Sequence, residues 1–193
     1  MLTSCSQQKE VVKIKTSSNT SGLTIEPLKL NKKEKVLIEK TGVNFIEYFK
    51  LTGHLKKTED IKIELEKYVN GKNNGESISS SDEPNLTFQD DILSFGIQRL
   101  QEGKELNLLM GMPSGYSSTI QPIQKIKLSS YGKVLNKKIK LIKDTPVYLA
   151  AWMGTTKNEM HGGIEDEKGN FPEAIKQSEI AFLYKITVID RKK

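Results

Sequence analysis

Cysteine, arginine, histidine and tryptophan are all scarce in this chain of 193 residues, and each shortage excludes something. The single cysteine, Cys5, rules out an internal disulfide framework. Arg99 and Arg191 are the only arginines although the formal net charge is +6, so the basicity is nearly all lysine. Arginine forks onto phosphates and reads guanine edges, and its near absence argues against specific nucleic-acid recognition. The only histidines, His54 and His161, lie far apart, and with one cysteine they make a poor zinc set. No run approaches the roughly 18 consecutive apolar residues of a membrane-spanning helix. Gly-x-Ser-x-Gly elbows, Walker loops and Gly-x-Gly-x-x-Gly turns are also missing from the sequence, so the common signatures of serine hydrolysis and nucleotide binding do not arise. No metal or cofactor is expected.

What is present is a patchwork of short alternating segments. Ile61, Ile63 and Leu65 alternate with Lys62, Glu64 and Glu66, the pattern of a half-buried strand. Leu93, Phe95 and Ile97 oppose Ile92, Ser94 and Gly96, and Leu106, Leu108, Met110 and Met112 repeat the pattern. Residues 23–30 alternate weakly, with Pro27 suggesting an edge strand. Phe45 to Leu55 forms a further run, expected to make a hairpin with 61–66 across Lys56-Lys57-Thr58-Glu59-Asp60. Val36-Leu37-Ile38 fits either a strand or a helical turn. Asn70-Gly71 marks a turn, since both residues tolerate positive φ, and 77–84 reads as a polar loop. Runs at 123–128 and 137–142 place lysine on every other position.

Residues 146–154 and 180–189 are apolar on both parities, which is expected of strands covered on two faces at the centre of a sheet. The best helix candidate is short, near 172–178, with Pro172 at its start. About eight short strands between turn signals, without βαβ alternation, predict an all-β fold: a β-sandwich with Greek-key or jelly-roll connections. A single domain over 23–191 is the expected organisation, following a polar tether at 6–22.

The lone cysteine stands directly behind Leu2-Thr3-Ser4. Leu2-Thr3-Ser4-Cys5 resembles a bacterial lipobox, in which an apolar residue lies three positions before the cysteine that receives a diacylglyceryl group. The resemblance implies lipid attachment at Cys5, a bilayer as partner, and an extracellular, membrane-anchored location on a Gram-positive-type envelope. A lipoprotein signal peptide needs an apolar region of about 7–15 residues, so most of it is expected upstream of Met1, with residues 1–5 as its remnant.

Three groups of residues are candidates for function. The segment 155–170 lies between the two most apolar strands and carries Glu159, His161 and Glu165; loops held on a rigid sheet are where binding and catalytic groups collect. Tyr116 and Tyr131, beside Gly115 and Gly132, could line a ligand, whereas Tyr148 and Trp152 share one parity of a central strand and read as core. Lys125, Lys127, Lys137, Lys138 and Lys140 lie in a stretch without carboxylates, which suits an anionic surface. The expected function is a non-enzymatic interaction or ligand-binding module whose partner is an anionic wall polymer or another envelope protein. The alternative is an envelope enzyme using His161 with Glu159 or Glu165.

Overall fold

Side chains that alternate about a pleated backbone bury one face of each strand, and pairing such strands leaves two apolar faces to be joined. The computed structural model describes residues 20–81, 83–123, 125–160 and 162–191. They form β1 (Thr20–Pro27), β2 (Phe45–His54), β3 (Glu59–Val69), β4 (Lys72–Ser80), β5 (Thr87–Leu100) and β6 (Glu105–Met112). Five more follow: β7 (Gly115–Pro122), β8 (Leu128–Lys133), β9 (Ile139–Ile142), β10 (Val147–Thr155) and β11 (Ile180–Asp190). An α-helix, α1 (Lys32–Glu39), joins β1 to β2, and a 3-10 helix spans Glu173–Gln177.

Two antiparallel sheets result, ordered β7-β6-β5-β2-β1-β9 and β4-β3-β11-β10-β8. The expected all-β, sandwich-like architecture is therefore present. Leu23, Phe49, Leu93, Phe95 and Leu108 of the first sheet meet Ile63, Leu65, Trp152, Phe182 and Tyr184 of the second, all fully or almost fully buried. Burying each large apolar side chain is worth about 1.5–3 kcal/mol, which makes this interface the main source of stability.

A second apolar cluster lies on the outer face of the five-stranded sheet. Ala151, Met153, Ala181 and Leu183 are covered there by Ile164, Ala174 and Ile175, with Met160 and Phe171 packed alongside. The segment after β10 is thus a third layer, and it explains why β10 and β11 are apolar on both parities. A register shift between Tyr148 and Ala150 alters the alternation: Leu149 and Ala150 both join the inner core. Tyr148 consequently faces the outer cluster while Trp152 faces the inner one, so the two do not share a face as their spacing suggested.

Other expectations need correction. β2 and β3 are not a hairpin; β2 pairs with β1 and β5, whereas β3 pairs with β4 and β11. Their buried faces meet across the sandwich instead of lying side by side. The β3 partner is β4, reached through Asn70 and Gly71 with φ of 50° and 73°, so the first half of the expected 77–84 loop, residues 77–80, is strand. Both central turn residues at positive φ match the right-handed twist of a tight hairpin. Of the expected 123–128 strand, Ile123 and residues 125–127 are not strand and Leu128 starts β8. β1 begins at Thr20, inside the span read as tether, and lies between β2 and β9. Pro27 is tolerated because β9 pairs with β1 only as far as Ile25.

The register gives the sandwich two poles. At one, Thr20 pairs with Ile142, Gly22 with His54, and Arg191 N–H donates to Thr58 O at 2.9 Å. At the other, Leu100 pairs with Glu105, Val69 with Lys72 and Leu128 with Thr155. The first and last described residues leave from the first pole.

Candidate functional site

The second pole is where cationic side chains gather and cavities open. The β5–β6 turn (Gln101–Lys104) comes from the first sheet and residues 155–158 and 179–180 from the second, with Ile123 and residues 125–127 between them. Ile123 N–H donates to Lys104 O at 3.0 Å, and Lys127 N–H to Thr155 O at 2.9 Å, so this crossing segment is pinned to both sheets. Its Ile123 and Ile126 line a cavity on each side. One, of about 530 Å³, is lined further by Lys67, Asn70, Thr156, Lys157 and Glu179. The other, of about 290 Å³, is lined by Arg99, Glu102, Lys104, Lys125 and the Trp152 ring.

Several cations away from this pole are held in ion pairs. Lys133 pairs with Glu47 at 3.3 Å, Lys137 with Glu167 at 2.6 Å, Lys138 with Glu26 at 3.4 Å and Lys143 with Asp190 at 2.6 Å. The stretch that lacks carboxylates in sequence therefore receives them from distant strands and, for Lys137, from the segment after β10, and Lys137 and Lys138 do not make an uncompensated surface. Lys140 stays exposed on the edge strand β9. Arg99, Lys67, Lys104, Lys125, Lys127 and Lys157 have no ion-pair partner among the described residues, a state they share with lysines elsewhere such as Lys32, Lys33 and Lys35 of α1. What sets the six apart is that they gather at one pole, five of them lining its two cavities. Arg99 donates to Ser129 Oγ, Lys67 to Gln121 Oε1 at 3.3 Å, and Lys127 to Asn158 Oδ1 at 3.4 Å. Neutral acceptors leave these charges uncancelled. Glu179, the acid of the larger cavity, accepts from Thr156 N–H at 2.7 Å and from its hydroxyl at 3.2 Å, and these bonds, helped by the nearby Lys157 charge, hold its carboxyl below the usual range.

The remaining predicted residues are scattered. Cys5 and His161 lie outside the described residues. Glu159 lines a small cavity of about 200 Å³ with Met153, Thr155 and Met160; Glu165 is exposed and does not reach it. Tyr116 is 78% exposed on the edge strand β7. Tyr131 is held inside: its hydroxyl donates to Phe95 O at 2.6 Å, its ring stacks on Phe45 at 5.2 Å, and burial pushes its pKa well up. Its ring also borders a broad groove of about 700 Å³ beneath α1, with Ile38, Val43, Glu47 and Lys133. The charges of that groove are partly cancelled by the Glu47–Lys133 pair.

Sequence reasoning missed a buried ionic cluster on the outer face of β3. Glu64 and Glu66, expected on a wet face, are 4% and 7% exposed. Lys185 bridges them at 3.2 and 2.8 Å, Lys62 reaches Glu64 at 2.6 Å, and the Tyr68 hydroxyl donates to Glu66 at 3.0 Å. Burial alone would lower the Lys185 pKa, but Glu66 and Glu64 outweigh it and hold the ammonium above its ordinary value. With both Glu66 oxygens engaged, the cluster pins β3 to β11 and offers no free base.

No family model, characterised protein or solved structure matches this chain. No described helix is long and apolar enough to cross a membrane.

Proposed function

We propose that this chain is a lipid-anchored extracellular module that binds an anionic wall polymer without chemical conversion. The observation that carries the reading is the set of six cations at one pole (Arg99, Lys67, Lys104, Lys125, Lys127 and Lys157), none held in an ion pair among the described residues. Clustered charge of one sign around concave surface raises the local concentration of a polyanion. The lipobox-like Leu2-Thr3-Ser4-Cys5 supplies the anchor. Thr20 enters β1 at the opposite pole, so a tether attached there directs the cations away from the bilayer and toward the wall. That polarity favours a wall polymer over the headgroups of the protein's own membrane. The enzyme alternative needs His161 beside Glu159 or Glu165, and His161 lies outside the described residues.

Co-sedimentation with purified anionic wall polymer, and separately with anionic vesicles, tests the reading. Polymer binding is expected to weaken steeply between about 0.05 and 0.5 M salt as the Debye length contracts. Lys125→Gln with Lys127→Gln should weaken it at least threefold, while Lys137→Gln with Lys138→Gln should leave it unchanged. Absence of polymer binding at every salt concentration rejects the proposal, as does a preference for vesicles. Recovery of the native-host protein with an unmodified Cys5 thiol in the cytosolic fraction rejects the anchor.

A further inference from the structure

The two sheets have four edge strands, β7 and β9 in the first and β4 and β8 in the second. An edge presents unpaired N–H and C=O groups, and proteins blunt it with charge, proline, bulges or brevity. β9 is four residues long and carries Lys140, and β4 carries Lys72 and two register shifts. β8 is fastened to the first sheet by Arg99 on Ser129 Oγ, Lys133 on Glu47 and the Tyr131 hydroxyl on Phe95 O. β7 has none of these devices along most of its length. Its eight residues, Gly115–Pro122, include no charged side chain and pair with β6 without a register shift.

The hydrogen-bond phase of β7 decides which backbone groups face outward. Opposed residues of an antiparallel pair alternate between those that exchange hydrogen bonds and those that do not. Ile123 N–H donates to Lys104 O at 3.0 Å, and this pair continues the register in which Gln121 faces Leu106, Thr119 faces Leu108 and Ser117 faces Met110. Ser117, Thr119 and Gln121 therefore bond inward to β6, and the N–H and C=O of Tyr116, Ser118 and Ile120 point off the edge. These groups have no partner among the described residues. The next position of that phase is Pro122, which has no N–H, so the open run ends at Ile120. The side chains of Tyr116, Ser118 and Ile120 are all exposed.

We propose that β7 pairs antiparallel with β7 of a second copy of this chain, about a two-fold axis at Ser118. Ser118 then lies opposite the partner's Ser118, and Tyr116 opposite the partner's Ile120, each pair in the bonding phase. An aromatic ring meets a β-branched side chain twice, a favourable cross-strand pair. No charge opposes a like charge, because the strand carries none. The open run is thus self-complementary, as an isologous contact requires. A contact of so few residues falls short of the roughly 1,200–2,000 Å² of a stable interface, so the dimer is weak and concentration-dependent. The two-fold turns the cation-bearing poles of the copies in opposite directions. Tethers leave such a dimer from both ends, so an anchored dimer lies along the bilayer while an anchored monomer stands on it. That consequence rests on the anchor proposed above; the pairing does not.

Sedimentation velocity of the full chain, from micromolar to near-millimolar concentration and under reductant so that Cys5 cannot link copies, tests the pairing. A concentration-dependent shift from monomer to dimer is expected. Ser118→Lys and Ser118→Glu each set like charges against one another at the two-fold and should raise the midpoint at least tenfold. An equimolar mixture of the two variants should recover the dimer, since opposite charges then meet. Tyr116→Ser should raise the midpoint at least threefold, and Lys140→Gln on the β9 edge should leave it unmoved. Circular dichroism matching that of the parent chain shows that each variant keeps its fold. A chain that stays monomeric throughout overturns the proposal and leaves the edge to a strand of another protein. A dimer that Ser118→Lys and Tyr116→Ser leave intact overturns it too, as does a mixture of the charged variants that stays monomeric. Dimerisation without polymer binding removes the proposed function alone, and polymer binding by a strict monomer removes this inference alone.

Discussion

Lys185 stands between two carboxylates that a simple alternation of faces would leave in water. Its side chain is 14% exposed and holds both Glu64 and Glu66, so removing it strands buried negative charge. Lys185→Met is expected to destabilise the protein by about 3–5 kcal/mol in urea denaturation; a loss under about 1 kcal/mol would show that the carboxylates find other partners. Asp166 contributes differently, through exposed hydrogen bonds. Its Oδ1 accepts from Lys168 N–H at 2.7 Å and Asn170 N–H at 3.0 Å, fixing a turn in the third layer. These bonds, that of Asn170 foremost, lower its pKa. A lowered carboxylate pKa adds stability above the unfolded value of about 3.9 and loses it as pH falls through the folded value. Asp166→Ala should therefore cost about 1 kcal/mol at pH 7, and denaturation curves should show the gap narrowing below about pH 4. A gap of the same size at pH 3 would contradict this account. The acidic residues of 155–170 were legible as a group, but Asp166 as a turn residue was not, because its partners are backbone donors that composition does not reveal.

Among the elements, α1 is the least secured. None of its residues is buried, and Val36 and Leu37 are 45% and 60% exposed. What holds its start is a capping box: Asn31 accepts from Glu34 N–H at 3.0 Å, and Glu34 accepts from Asn31 N–H at 2.7 Å. An eight-residue helix is marginal without such support. Asn31→Ala should cost about 1 kcal/mol locally, seen as faster amide exchange through 32–39 with the sheet amides unchanged. Equal protection in the variant would mean that tertiary contact alone holds the helix. The Asn31-x-x-Glu34 spacing was readable, and the apolar triplet Val36-Leu37-Ile38 obscured it. β10 presents the opposite case. Its burial was plain from composition, whereas the bulge that separates Tyr148 from Trp152 depends on pairing with β11, which no local pattern encodes. β4 escaped notice because its residues are mostly polar and Ile78 is its only large apolar residue.

At the scale of the whole molecule, the alternating strands were enough to predict an all-β sandwich, and the two doubly covered strands were correctly placed at the centre of a sheet. Which strand joins which sheet was not legible, as the β2–β3 hairpin expectation illustrates: alternation gives the buried face but not the neighbour. Charge compensation is likewise a property of the folded chain. Lys138 meets Glu26 and Lys143 meets Asp190 across long stretches of sequence. Lys125 and Lys127 belonged to the predicted lysine set, whereas Arg99, Lys104, Lys67 and Lys157 are brought beside them by the strand ends. The polarity of the sandwich also has a practical side. Thr20 and Arg191 emerge together, remote from both cavities, so a sensor chip that captures the protein through a tag at either terminus would display the cavities to the flow. Amine coupling would instead consume the lysines under test and make a competent surface look inert.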